Sequence, residues 1–351
     1  MRQISVPEAL RLVDGPDDVV AACSSLLPPG QRALLVVSTP TPFDLVGDLL
    51  HRELGADYIL VKDNTFAEVQ GVAERLFVGG AATVAGVGGG RAIDVAKLAA
   101  HYARRRFISI PTQVSHDGIA SPIAVIGHPS RGVASVGASA PEAIIVPMAT
   151  VLGAPARTIR AGTGDLLGKL TALPDWRLAV KAGKERYDDY AAMLAEAAIA
   201  RVYPYLLAPA GVAVEDMGPE FVAALIHGLL LSGVAMTVAG SSRPCSGSEH
   251  LISHAIDSLY GGRALHGEQV ALGTLAVLVL LGKEAEARRL AVTYRRLGLP
   301  AHPSDIGLTD GEFLAALREA PRTRPDRYTP LSEASPEALL RSILAVLERA
   351  M

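Results

Sequence analysis

Over roughly the first 150 residues, short β-branched runs alternate with helix-like stretches, and then the alternation stops. Residues 33–38, 57–61, 82–87 and 107–111 read as strands, and residues 43–54, 66–77 and 93–103 between them carry helical spacing. Strands joined through helices pair in parallel by right-handed crossovers, with helices on both faces of the sheet. From about Ala154 only Ala/Leu-rich helical stretches follow, at 164–173, 191–203, 221–239, 249–259, 267–281 and 335–350. The expectation is an α/β N-terminal Rossmann-like domain over residues 1–153 and an all-α C-terminal domain over residues 154–351.

A chain of 351 residues is long enough for two such cores. Half of it is apolar and the net charge is -3, with no basic face that would bind nucleic acid. The single basic run, Arg104-Arg105-Arg106, reads as a solvated helix end. Two distant cysteines, Cys23 and Cys245, exclude a disulfide framework and fit reduced thiols in the cytoplasm. Residues 1–7 lack the apolar stretch of a secretory signal. Residues 221–239 carry no charge and are long enough to cross a bilayer. That stretch contains His227, Ser232 and Thr237 and has no flanking anchors, so it reads as a buried core helix without membrane insertion.

Several constellations carry chemistry. His250 and His254 lie four residues apart and share one face of a helix, and His266 opens the next helical stretch. Together they offer two or three imidazoles to one divalent ion; spacing alone leaves open a pair of core histidines. Asp165 precedes a helix-like run, where an acid is either a cap or a carboxylate ligand beside those histidines. Gly86-Val87-Gly88-Gly89-Gly90 follows a strand and opens a helix, as a phosphate-binding turn does. Arg91 follows, so the third glycine of the usual dinucleotide fingerprint is missing. Asp94 and Lys97 on that helix orient a pyrophosphate loop or form a solvated face. The polar loop 111–122 follows the fourth strand, at the sheet edge where open α/β folds bind ligands. Lys169 and Arg243 are candidate cations for a phosphate on a substrate, with a solvated or structural role equally open for each.

These pieces, in this order, resemble the iron-containing alcohol dehydrogenase and dehydroquinate synthase superfamily, and within it the sn-glycerol-1-phosphate dehydrogenase branch. The resemblance rests on residues 88–97, residues 111–122, Gly164-Asp165, residues 175–179, the run from Ser242 to His250, and Leu265-His266-Gly267-Glu268-Gln269. It implies a dehydroquinate synthase-like fold and reversible hydride transfer between NAD(P)H and dihydroxyacetone phosphate, giving sn-glycerol 1-phosphate. By the same resemblance Gly88, Gly89, Gly90, Arg91, Asp94, Thr112, Ser115 and Ser121 contact the cofactor. Asp117 and His254 take part in catalysis and contact substrate. Asp165, His250 and His266 hold one divalent ion, zinc foremost with nickel or iron as alternatives, and Asp165 also faces substrate. A homo-oligomer in the cytoplasm is expected.

Two departures stand out. Gly164-Asp165-Leu166-Leu167-Gly168-Lys169-Leu170 differs from the archaeal pattern Gly-Asp-x-x-Ser-Asn-Tyr and looks like the bacterial branch, and Cys245 replaces a small alanine. The alternative functions are a related metal-dependent dehydrogenase for another polyol or polyol phosphate, and an NAD-dependent sugar-phosphate cyclase on the same fold.

Overall fold

The computed structural model describes residues 6–28, 33–128, 132–206, 217–261 and 263–348. Residues 1–5 and the expected helical end at 349–350 lie outside the described residues. The chain divides into two compact units, Met1–Pro155 and Ala156–Met351.

The strands of the first unit are β1 (Ala9–Val13), β2 (Leu34–Ser38), β3 (Asp57–Leu60), β4 (Thr83–Gly88), β5 (Arg106–Pro111), β6 (Ile123–His128), β7 (Gly132–Gly137) and β8 (Ala143–Pro147). Six of them form one parallel sheet in the order β1-β8-β5-β4-β2-β3, and β6 pairs antiparallel with β7. Every described residue of β2, β4 and β8 is buried. Burial on both faces explains why these strands are continuous apolar runs rather than alternating ones. From β2 the chain steps to β3 on one side and then returns to β4 on the other. The carboxyl ends of β2 and β4 therefore flank a topological switch point, the usual ligand crevice of an open α/β sheet.

β1, β8 and the β6–β7 hairpin extend the sequence reading, which recognised four strands. Asp94 and Lys97 anchor the hairpin. The Asp94 Oδ2 accepts from the Val125 amide at 3.0 Å, and the Lys97 Nζ donates to Asp94 Oδ1, Gly118 O and Ile123 O. Lys97 is fully buried with its three donors satisfied, so the solvated-face reading of this pair is corrected. The basic run is also not a plain solvated end. Arg104 caps the preceding helix at φ 52° and Arg106 opens β5, paired with Glu142.

The second unit is helical: Ala156–Leu167, Lys169–Lys181, Asp189–Leu206, Gly218–Ala239, Ser248–Tyr260, His266–Leu280, Glu284–Arg296, Asp310–Thr323 and Pro336–Glu348. The expected helix at 164–173 is two helices divided at Gly168. Asp165 lies in the last turn of the first of them and is not a cap. Glu284–Arg296 and Asp310–Thr323 escaped the sequence reading because they are charge-rich, with apolar residues only on one stripe. The helix Gly218–Ala239 has mean hydropathy 2.0 and is long and apolar enough to cross a membrane, but 67% of its most apolar window is buried within the protein. It packs along Asp189–Leu206. His266–Leu280 is apolar all round and buried almost throughout, as a central core helix must be.

Candidate metal and cofactor sites

Asp165, His250 and His266 each point one ligand atom to a common place, all within 4.8 Å of one another. The Asp165 Oδ1 is 3.4 Å from His250 Nε2 and 3.7 Å from His266 Nε2. Metal–ligand bonds of about 2.0–2.2 Å in a tetrahedral site separate the ligand atoms by roughly 3.4 Å. The spacing and the oxygen–nitrogen donor set thus fit a zinc-like divalent ion with three protein ligands.

Both imidazoles are oriented from behind. The His250 Nδ1 meets Glu249 Oε1 at 2.9 Å, and that buried carboxylate also accepts from Gly247 N and from Thr171 Oγ1. The His266 Nδ1 meets Ser253 Oγ at 3.0 Å. The Ser253 hydroxyl donates its only proton to Gln269 Oε1 at 2.6 Å, and Gln269 Nε2 donates to Asp257. Ser253 must therefore accept from His266 Nδ1–H, which leaves Nε2 as the free lone pair. Such partners fix both tautomer and ring direction of a ligating histidine. Burial opposes ionisation of Asp165, but Lys169, His250 and His266 outweigh it and hold the carboxyl well below its usual range. Burial likewise opposes the His250 imidazolium, yet its bonds to Asp165 and Glu249 raise it to about 9.

Glycine brings the ligand-bearing helices close enough. A Cβ on Gly267 would lie 1.8 Å from Ala161 O, and one on Gly164 would lie 2.3 Å from Gly267 O. The helices Ala156–Leu167 and His266–Leu280 therefore cross in backbone contact, with Asp165 and His266 each next to a contact glycine. Glu268 secures the crossing. Its carboxylate accepts from Leu265 N, capping the start of the helix, and takes both Nε and Nη2 of Arg157 at 2.7 Å. Gly267→Ala is expected to cost about 3 kcal/mol by overpacking against backbone. It should also weaken metal binding by at least about 10-fold, since it displaces two ligands. Thermal unfolding and metal titration check this, and a variant with wild-type stability and affinity would refute the crossing as the determinant.

The structure separates the remaining assigned residues. His254 lies one turn beyond His250, its ring stacked 6.3 Å from that of His266, outside the three-ligand group. Burial, then His266, His250, Arg324 and Arg327, push its imidazolium well below the ordinary range, so the ring is neutral. Lys169 and Arg243 are not open to a phosphate. The Lys169 Nζ is fully buried, 3.0 Å from Asp165 O and 3.5 Å from Asp165 Oδ2. Arg243, also buried, donates to Glu185, Asp175 and Tyr328 O. Asp175 in turn accepts from the amide and hydroxyl of Ser248, capping the His250 helix. Burial and then Glu249 raise Asp175 to about 6, against the lowering effects of Ser248 and Arg243.

In the first unit a cavity of about 480 Å³ opens at the switch point. Thr39, Gly89, Gly90, Arg91, Thr112 and Gln113 are among its lining. Gly88 makes the entry turn at φ 142°, a conformation closed to other side chains, and its carbonyl accepts from Thr112 N. Gly89 caps and Gly90 begins the following helix, whose free amides and dipole suit a pyrophosphate. Arg91 is exposed at this mouth. Asp94 is turned inward to the hairpin, which corrects its assignment as a direct cofactor contact. Ser115 and Ser121 are buried beyond the cavity wall, with Ser121 Oγ donating to Ile123 O. Asp117 begins a short turn, Asp117–Ile119, on the same loop. Glu249, Ser253 and Gln269 were missed as site residues; Glu249 adjoins His250 in sequence, whereas Ser253 and Gln269 lie one helical turn from His250 and His266.

Comparison with known proteins adds the following. A family model described as iron-containing alcohol dehydrogenase matches residues 19–155. A glycerol-1-phosphate dehydrogenase (NAD(P)+) of Hyperthermus butylicus is 38% identical over 337 residues, 95% of this chain and 94% of the relative. One from Staphylothermus marinus is 40% identical over 305 residues, 85% of this chain and 83% of the relative. Among solved structures, the glycerol dehydrogenase of Schizosaccharomyces pombe aligns with a TM-score of 0.81 at 19% identity, covering 100% of this chain and 91% of that one.

Proposed function

The chain belongs to the glycerol-1-phosphate dehydrogenase family, among the iron-containing alcohol dehydrogenases, and on that premise we propose that it interconverts dihydroxyacetone phosphate and sn-glycerol 1-phosphate. NAD(P) and a divalent metal ion are the cofactors of this family, and zinc is the ion this donor set suits best. The observation that carries the reading is the convergence of Asp165, His250 and His266, with both imidazoles held from behind. An ion held there by Asp165, His250 and His266 would supply Lewis-acid polarisation of a substrate carbonyl.

The chain's own residues supply the rest. Lys169 keeps Asp165 ionised, and Glu249 and Ser253 aim the two Nε2 lone pairs. His254, neutral and beside the ligands, holds a proton for the substrate oxygen. In the first unit Gly88, Gly89, Gly90, Arg91 and Thr112 cradle the cofactor's phosphates, with Ser115 and Ser121 shaping the loop behind them, and Asp117 addresses substrate hydroxyls. Neither buried cysteine, Cys23 or Cys245, is in a disulfide among the described residues, in keeping with a cytoplasmic setting. A steady-state assay with dihydroxyacetone phosphate tests the reading. Nicotinamide oxidation should be lost on chelation and restored by zinc, and the product should be the 1-phosphate enantiomer. No turnover of this ketone in the zinc-loaded protein would overturn it.

Cofactor preference follows from the cavity. Its lining contains Arg91 and no carboxylate. An acid at the ribose selects NAD by binding the 2′-hydroxyl and repelling a 2′-phosphate. NADPH should therefore show kcat/KM at least equal to that of NADH. A hundredfold preference for NADH would mean that an acid such as the exposed Asp63 guards the ribose.

A further inference from the structure

A phosphorylated ketone carries a dianion next to its reacting carbon, so a cationic seat must lie close to the metal ligands. Lys169 and Arg243 are spent elsewhere. Two other cations are not. Arg324 and Arg327 stand on the turn that follows Asp310–Thr323, joined by the bond from Arg327 N to Arg324 O at 3.0 Å. Both side chains are half-buried. The Arg327 Nη1 donates to Ser246 O at 2.8 Å and Ser246 Oγ at 3.2 Å, and Nη2 donates to Ser242 Oγ at 2.9 Å. These bonds fix the guanidinium plane and leave Nε–H and one Nη2–H without an acceptor among the described residues. That side-on pair is the fork with which arginine grips a carboxylate or phosphate. Arg324 has no side-chain acceptor among the described residues.

Ser242 and Ser246 lie in the turn that leads directly into the His250 helix. We propose that Arg324 and Arg327 form the seat for the substrate's phosphate monoester, in place of Lys169 and Arg243. The proposal rests on the function argued above and assigns that site's specificity for phosphorylated over free polyols.

Charge supports this. Half-buried guanidiniums this close repel one another, and no carboxylate forms an ion pair with either among the described residues. The neighbouring acids Asp175 and Glu185 are engaged by Arg243. Burial, then Arg324 and Arg243, depress Arg327 to about 10, the mark of a cationic pocket short of a counter-charge. Through its bonds to Ser246 the Arg327 guanidinium lies against the turn four residues before His250. A phosphate dianion relieves the repulsion and fills the fork.

The test compares kcat/KM for dihydroxyacetone phosphate with that for dihydroxyacetone in the zinc-loaded wild type, Arg324→Met, Arg327→Met and Arg327→Lys, with competitive inhibition by inorganic phosphate as a second readout. Metal content and thermal unfolding report that each variant is folded. In Arg327→Met the preference for the phosphorylated ketone should fall by about 100-fold, with a smaller fall in Arg324→Met. The inhibition constant for inorganic phosphate should rise in parallel. Arg327→Lys, which keeps the charge but loses the fork, should lie between wild type and Arg327→Met. Wild-type preference and wild-type phosphate inhibition in both methionine variants would overturn the seat while leaving the proposed function standing. A wild type indifferent to the phosphate would overturn both.

Discussion

The His266→Ala variant is expected to lose its divalent ion and to turn over slower by a factor on the order of 10³ or more, because several kcal/mol of carbonyl polarisation go with the ion. Of the three ligands, His266 gives the cleanest test. Asp165 and His250 are buried among charged partners, and removing either takes an ion-pair partner from Lys169 or from Glu249. The His266 side chain is 28% exposed at the start of its helix, and its removal leaves the Glu268 bond to Leu265 N and the Arg157 pair in place. The helical unit should therefore stay folded. Wild type should lose thermal stability when chelator removes the ion, since a ligand bound only by the native state stabilises it. The variant should show no such shift. Stoichiometric metal in purified His266→Ala would sink the ligand assignment.

The divide into an α/β half and a helical half is visible in the sequence because periodicity switches from strand–helix alternation to helix alone. Three of the four recognised strands, β2, β4 and β5, are buried on both faces and read as near-continuous apolar runs, whereas β3 is a largely exposed edge strand marked by its aromatic and β-branched pair Tyr58-Ile59. β1 escapes because Ala9–Val13 includes Arg11 and is only half-buried. β8 escapes although Ala143–Pro147 is fully apolar, because no helix separates it from β5 and the alternation has already broken down at the hairpin. The metal site is legible as a set of residue types. Which imidazole ligates is not, because His250 and His254 share a face and only a third dimension distinguishes them. Glu249 locks His250, and the crossing at Gly267 carries His266 to Asp165. The proposed phosphate seat was not legible for the same reason. Lys169 and Arg243 are near the ligands in sequence, but their charges are consumed by Asp165 and Asp175. Arg324 and Arg327 are some seventy residues beyond His254, in a turn with no motif to mark it.

Loss of His254 should behave differently from loss of His266. His254→Ala is expected to lower kcat by roughly 10²–10⁴, the usual range for removing a positioned proton donor or acceptor, with the metal retained at full stoichiometry. The distinction follows from geometry. The three ligand atoms converge without His254, whose ring lies alongside that of His266 at 6.3 Å. Burial first, and the neighbouring cations besides, hold the ring neutral, so it carries one proton. That proton can be shared with a substrate oxygen lying against His250 and His266, where charge develops as the carbonyl is reduced. The substrate's KM should change much less than kcat, because the lost interaction strengthens only as that charge forms. His254→Gln, which keeps a hydrogen-bond donor, should recover part of the rate. Metal loss in His254→Ala would make His254 a ligand in place of His250. A wild-type kcat with metal in place would remove it from the proton path and leave that task to water.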